Sequence, residues 1–142
     1  MIDSKRLTIF RSVNIIGATQ PPKAVIPVFI QKARLNEDIE ILGGEGAILQ
    51  AVSVKDTADL FQKILDVGDP HGIFNVTAKN SMLLKDLAAL IVKHLKSSSK
   101  IIVRKSDEQE YPEVKSKCIR SAFGWQPHYT IEDIVKDMLH AA

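Results

Sequence analysis

Cysteine is almost missing from this sequence: Cys118 stands alone, which rules out an intramolecular disulfide. The four histidines, His71, His94, His128 and His140, are scattered and none accompanies the cysteine, so no zinc-ligand spacing exists. An excess of one charge is missing too. Lys and Arg number 19 against 17 Asp and Glu, for a net charge of +2, and nucleic-acid binding cannot be read from that balance. No apolar run approaches the roughly 18–20 residues of a membrane span. The opening Met1-Ile-Asp-Ser-Lys-Arg6 lacks the apolar core of a signal peptide. A reducing, cytoplasmic location is the expectation, with no membrane partner. Internal repeats and low-complexity tracts are absent as well.

What is present is a chain of 142 residues with a hydrophobic fraction of 45%, enough for a real core and most simply one domain over 1–142. Its densest apolar stretch is Arg6-Leu-Thr-Ile-Phe-Arg-Ser-Val-Asn14-Ile-Ile-Gly17, whose weak alternation reads as a strand buried on both faces of a parallel sheet. Such a strand needs neighbours on both sides, yet its usual upstream partners cannot precede it here. Downstream, Val25, Ile26, Phe29, Ile30 and Ala33 recur at helical spacing up to Asn36. Ile39–Leu42 and Ile48–Val54 read as short strands joined by the turn Gly43-Gly-Glu-Gly46, as a hairpin or strand pair. Asp56 is the expected N-cap of a helix with Ala58, Leu60, Phe61, Ile64 and Leu65 inward. Gly72–Thr77 is strand-like, Ser81 is expected to cap a helix through Leu95, and Lys100–Arg104 is strand-like again. Ser116–Phe123 reads as a short helix, and Thr130-Ile-Glu-Asp133 as a near-capping box for a last helix. The alternation places the chain in the α/β class, or α+β if the strands form separate small sheets.

Catalytic chemistry is thinly represented. Gly43, Gly44 and Gly46 lie between two strands, not between a strand and a helix, so they read as a turn and not as a phosphate cradle. Cys118 beside Lys117 and Arg120 reads as a packing residue before a nucleophile. Lys93, Lys96, Lys100, Arg104 and Lys105 form a basic run whose default is a solvated helix end, with nucleic-acid binding a weaker reading. Within it Arg104 stands out, because a guanidinium ending a strand can make a bidentate anion contact, the competing reading being an ion pair with Asp107 or Glu108.

Several of these pieces, taken in order, resemble the C-terminal half of the NAD-dependent epimerase/dehydratase family, extended short-chain dehydrogenase/reductases acting on nucleotide sugars. The pieces are Phe10-Arg-Ser-Val-Asn14-Ile-Ile-Gly17, Val25-Ile-Pro-Val-Phe29, Ile39-Glu-Ile-Leu-Gly43 and Val52-Ser-Val-Lys-Asp56. They continue with Gly72-Ile-Phe-Asn75, Ser116-Lys117 and Phe123-Gly-Trp-Gln-Pro127. The resemblance implies Rossmann-like sheet strands plus a small substrate-binding α/β lobe, lacking the N-terminal dinucleotide-binding half. It implies that Asn14 contacts the substrate diphosphate region, that Val25 and Ile26 face the nucleotide base, and that Arg104 pairs with the diphosphate. Tyr111 matches a pocket-side aromatic, and Ser12 and Ile15 would pass near the nicotinamide. No residue of this chain is expected to be catalytic and no metal is expected; NAD(P) is expected for a full-length member and none for this chain alone.

Departures from the family pattern are informative. The family's glycine-rich dinucleotide loop and its Tyr-x-x-x-Lys pair belong upstream of the opening strand, and this chain carries neither there, so a general acid/base for hydride chemistry is expected to be missing. Leu49 stands where a second diphosphate-binding arginine is usual, Ile16 where a tyrosine is common, and Val114 where an aspartate is frequent. The expected function is thus the substrate-binding portion of a nucleotide-sugar epimerase/dehydratase-like protein, silent alone. Its partners would be a nucleotide diphosphate sugar, held weakly, and either further copies or an N-terminal half. The rival is a non-enzymatic interaction or oligomerisation module derived from that lobe.

Overall fold

The computed structural model describes residues 7–67, 71–105 and 112–141, and these form an α/β structure. The opening run is two strands, not one: β1 (Thr8–Ser12) and β2 (Asn14–Ile16) part at Val13 and join different sheets. β1 pairs in parallel with β5 (Gly72–Val76), so that Phe10 lies beside Phe74 and Ser12 beside Val76. β2 pairs in parallel with β4 (Ile48–Ser53), placing Asn14 beside Ala51. β4 in turn takes β6 (Ser81–Leu83) as an antiparallel neighbour.

The expected hairpin of Ile39–Leu42 with Ile48–Val54 does not form. β3 (Ile39–Ile41) pairs in parallel with β7 (Ile101–Val103), and β4 goes to the sheet of β2. Side-chain burial explains the choice: Ile39 and Ile41 are both fully buried in the larger core, which a hairpin lying on the surface could not achieve.

Helices follow their apolar spacing, with two exceptions. α1 (Val25–Arg34) buries Ile26, Phe29, Ile30 and Ala33, and Lys32 and Arg34 in its last turn complement the negative end of the helix dipole. Asn36 then adopts a left-handed φ of 55°, a conformation asparagine tolerates, and its Oδ1 accepts hydrogen bonds from Ser98 N at 2.9 Å and from the Ser97 and Ser98 hydroxyls. That side chain ties the end of α1 to the end of α3 (Leu84–Leu95). α3 itself starts later than Ser81, because Ser81 belongs to β6 and its hydroxyl donates to Glu113 at 3.0 Å. α2 (Val54–Val67) starts earlier than Asp56, which lies inside its first turn.

α4 (Lys117–Phe123) and α5 (Ile131–Ala141) complete the chain. Gly124, at φ 62°, closes α4 in the left-handed geometry that favours glycine. Thr130 and Asp133 bond reciprocally ahead of α5: the Thr130 N–H and hydroxyl donate to Asp133 Oδ2 at 2.9 and 2.6 Å, and Asp133 N–H donates back to Thr130 Oγ1 at 3.2 Å. Aspartate therefore serves in this capping box as glutamate commonly does.

Two cores result. The larger joins α1, α3 and α5 over β2, β3 and β4; the smaller gathers Val52, Leu60, Phe74, Val76, Ile119, Phe123 and Trp125 under α2 and α4. In the smaller core Phe10, Phe74 and Phe123 pack with ring centroids 5.0–5.9 Å apart. Burying each such side chain contributes about 1.5–3 kcal/mol.

Coverage of the opening strand is one-sided. Phe10 and Phe74 face the core, whereas Ile9 and Ile73, on the opposite face by the strand period of two, are 39% and 54% exposed. β5 is the hydrogen-bonded neighbour of β1 among the described residues. The expectation of a strand buried on both faces is thus corrected: the apolar residues for two faces are there, and one face is covered. α2 needs the same correction. Only Leu60 of its expected stripe is fully buried and Ile64 is half-buried, while Phe61 and Leu65 are 56% and 78% exposed.

Candidate functional site

Parallel strands present their carboxyl ends to one side of a sheet, and the split at Val13 opens a gap there. Ser12 closes β1, Asn14 opens β2, and two adjoining clefts of about 290 and 390 Å³ meet at Asn14. The first is lined by Ser12, Val13, Asn14, Ile48, Gln50 and Pro112. The second runs past Asn14, Ile15, Gln20, Val25 and Leu49. β2 exposes Asn14 and Ile15 and buries Ile16.

Amides dominate the polar lining. Gln50 Oε1 accepts Val114 N–H at 3.1 Å, which fixes its carbonyl and leaves its NH₂ available as donor. Gln20 Nε2 donates to Ile15 O at 3.4 Å, while Gln20 Oε1 is buried without a hydrogen-bond partner among the described residues. Asn14 supplies a further donor and acceptor. No charged side chain lines either cleft among the described residues. The arrangement can hold and orient a polar ligand by hydrogen bonds, and among the described residues there is no metal-binding cluster.

Of the sequence-derived site residues, Ser12, Asn14, Ile15 and Val25 are brought together at these clefts. Ile26 lies one residue along α1 and is fully buried in the larger core, so its side chain has no surface to offer a ligand. Arg104, just past β7, lines neither cleft. Its Nη2 donates to Glu40 Oε1 at 2.7 Å across the β3–β7 pair, and this contact lowers the Glu40 carboxyl below its ordinary range and raises the guanidinium further. Glu40 is thus a cross-strand ion-pair partner of Arg104, while Asp107 and Glu108, the partners expected from the sequence, lie outside the described residues. Tyr111 lies outside the described residues.

Gln20 and Gln50 are the residues sequence reading missed. Gln50 alternates outward on β4, a signal available once the strand register is known. Gly43, Gly44 and Gly46 join β3 to β4, with Gly44 at φ 75°, so these glycines form a strand-to-strand turn and do not make a dinucleotide cradle. Cys118 is exposed, which removes the reading of it as packing filler.

The motif Gly124-Trp-Gln-Pro127 proves architectural. Trp125 is fully buried with Nε1 donating to Asp56 O at 3.1 Å, and the buried Asp56 carboxylate accepts the N–H groups of His128 and Tyr129 at 2.9 and 3.0 Å. Such a set locks the start of α2 to the entry of α5.

Mixed α/β elements with a one-sided parallel pair and a ligand-sized gap at its carboxyl end define a portion of a Rossmann-like protein. The model of the NAD dependent epimerase/dehydratase family matches residues 3–77, more than half of the sequence, and this chain belongs to that family. Mouse dTDP-D-glucose 4,6-dehydratase is 27% identical over 140 residues, covering 92% of this chain and 39% of the mouse protein. The low-salt glycan biosynthesis protein Agl12 of Haloferax volcanii is 26% identical over 129 residues, with 88% and 41% coverage. The chain thus spans about two fifths of the length of these relatives. Among solved structures, UDP-glucose 4-epimerase of Thermotoga maritima with UDP-glucose superposes with a TM-score of 0.79 at 18% identity over 94% of this chain and 45% of that one. RMD from Pseudomonas aeruginosa complexed with NADPH gives 0.78 at 21% identity over 96% and 48%. These likenesses establish the fold.

Proposed function

We propose that residues 1–142 form the C-terminal, substrate-binding lobe of a nucleotide-sugar epimerase/dehydratase. The observation that carries the reading is the pair of clefts meeting at Asn14, built from Ser12, Asn14, Ile15 and Val25 in a chain of this family. Support comes from the Thermotoga maritima neighbour, which binds UDP-glucose, and from the order of the motifs from Asn14 to Pro127. In this reading Asn14, Gln20 and Gln50 hydrogen-bond the ligand, and Val25 presents an apolar wall to its base. Arg104 reaches the diphosphate only by giving up Glu40. Ser12 and Ile15 form the edge that would meet the nicotinamide of an NAD(P) held by a dinucleotide-binding part. Such a part would cover Ile9 and Ile73 and add a strand beside β1, since an inner parallel strand is covered on both faces.

Titration calorimetry with UDP and dTDP tests the reading. Saturable binding is expected, lost in Asn14→Leu and weakened in Arg104→Ala. Undetectable binding of both nucleotides, or binding indifferent to Asn14→Leu, would sink it. A second test is spectrophotometric: the 142-residue chain alone is expected to turn over no NAD(H) with a nucleotide sugar, and measurable turnover would contradict the reading.

A further inference from the structure

The uncharged clefts at Asn14 contrast with a third, larger cleft across the 112–116 segment, of about 450 Å³. Three separate stretches line it: the loop after β5, the start of α4 and the Trp125–His128 turn. They bring Lys79, Lys115, Lys117, Arg120 and His128 to one concavity, and no carboxylate lines it among the described residues. Lys115, Lys117 and Arg120 have no ion pair or hydrogen bond through their side chains among the described residues, and Lys79 Nζ is held at 2.8 Å on His128 O. Among the described residues, the buried Asp56 carboxylate lies 3.5 Å from His128 Nδ1 with both oxygens engaged by backbone N–H groups, and Asp133 interacts electrostatically with Lys79.

Like charges gathered in a concavity repel one another, and the low-dielectric wall of Trp125 and Pro127 strengthens their field. A multiply charged anion relieves that repulsion, and lysine and arginine donors match phosphate oxygens. We propose that this cleft is a binding site for a small polyphosphate anion of the pyrophosphate class, distinct from the Asn14 clefts. Arg120 grips two oxygens in its planar fork, while Lys79, Lys115 and Lys117 act as point charges around them. The ligand's source is either free pyrophosphate or the diphosphate of a nucleotide, which share this chemistry.

The test is calorimetry of the 142-residue chain with inorganic pyrophosphate at low ionic strength, with UDP in parallel. One saturable site is expected, with affinity falling as salt rises. Lys117→Gln/Arg120→Gln should weaken pyrophosphate roughly tenfold or more, and Lys115→Gln, outside any helix, should weaken it less. The control Lys93→Gln/Lys96→Gln removes the same charge elsewhere and should leave affinity unchanged. Asn14→Leu should also leave pyrophosphate unaffected, which separates this site from the nucleotide reading above. UDP retained in Lys117→Gln/Arg120→Gln marks free pyrophosphate as the source, and UDP lost there marks the nucleotide. Absence of saturable pyrophosphate binding, or an equal loss in the Lys93/Lys96 control, overturns the proposal.

Discussion

Trp125 and Asp56 hold each other across 69 residues: the indole N–H donates to the Asp56 carbonyl, and the Asp56 carboxylate anchors the two residues, His128 and Tyr129, that follow the tryptophan's turn. Every polar atom in this buried set is satisfied by another member. Removing the carboxylate strands two N–H groups, so Asp56→Ala should lower unfolding stability by roughly 3 kcal/mol. Asp56→Asn keeps one acceptor oxygen and should lose less. Urea titration followed by tryptophan fluorescence measures both, and equal stability of wild type and Asp56→Ala would refute the assignment.

Gly17 and Val54 predict a coupled pair. A Cβ on Gly17 would lie 2.7 Å from Val54 Cγ1, closer than side-chain carbons approach. Gly17→Ala should therefore cost about 1–3 kcal/mol by overpacking. Val54→Ala removes the obstructing methyl, so the double variant should be more stable than the sum of the two single losses implies. Additive losses in a double-mutant cycle would show that the close approach is not what makes this glycine necessary.

Those two positions also show how far the sequence could be read. Gly17 and the Gly-Trp-Gln-Pro stretch were recognisable as motifs, and α1, α4 and α5 follow from apolar spacing and caps, because these are local signals. Strand partners are not local: the alternation of Ile39–Ile41 and Ile48–Ser53 is the same whether they pair with each other or, as found, with β7 and β2. Ser12, Asn14, Ile15 and Val25 could be tied to one site through the family resemblance, and the clefts gather all four. Gln20, Gln50 and the Arg104–Glu40 pair needed the register, since their partners lie far away in the chain. Phe61 and Leu65 look like core residues by composition and spacing, and only the packing of α2 reveals that they are exposed.

Stability should fall on the acid side. The Thr130 side chain, and then its backbone N–H, hold the Asp133 carboxyl below the usual carboxylate range; Arg104 does the same for Glu40 and Lys136 for Glu132. A carboxyl with a lowered folded value contributes stability above its unfolded value, about 4, and loses it as pH falls through the folded one. The urea midpoint is therefore expected to decline below about pH 5. In Asp133→Asn the deficit against wild type should be largest near neutrality and shrink towards low pH. Thr130→Ala should cost about 1 kcal/mol at neutral pH through the lost cap. A deficit in Asp133→Asn that grew towards acid would have the wrong sign and would exclude this account.

The bare apolar surfaces make the last prediction. Ile9 and Ile73 on the open face of β1 and β5, with Phe61 and Leu65 on α2, leave large side chains in water, and exposed apolar faces and strand edges promote association. Phe61 is unsuitable for mutation because its ring meets Phe10 edge-on at 6.4 Å, so the probes are Leu65 and Ile73. Ile73→Lys/Leu65→Glu leaves net charge unchanged and should alter unfolding stability by less than ~1 kcal/mol, since neither side chain is buried. Light scattering at rising concentration should show the wild type associating and the double variant less so. If a dinucleotide-binding part covers these residues, the same double variant should fail to capture that part when it is supplied as a separate chain, while still binding UDP at the Asn14 clefts. Association and capture both unchanged in the double variant would show that neither surface is a contact face.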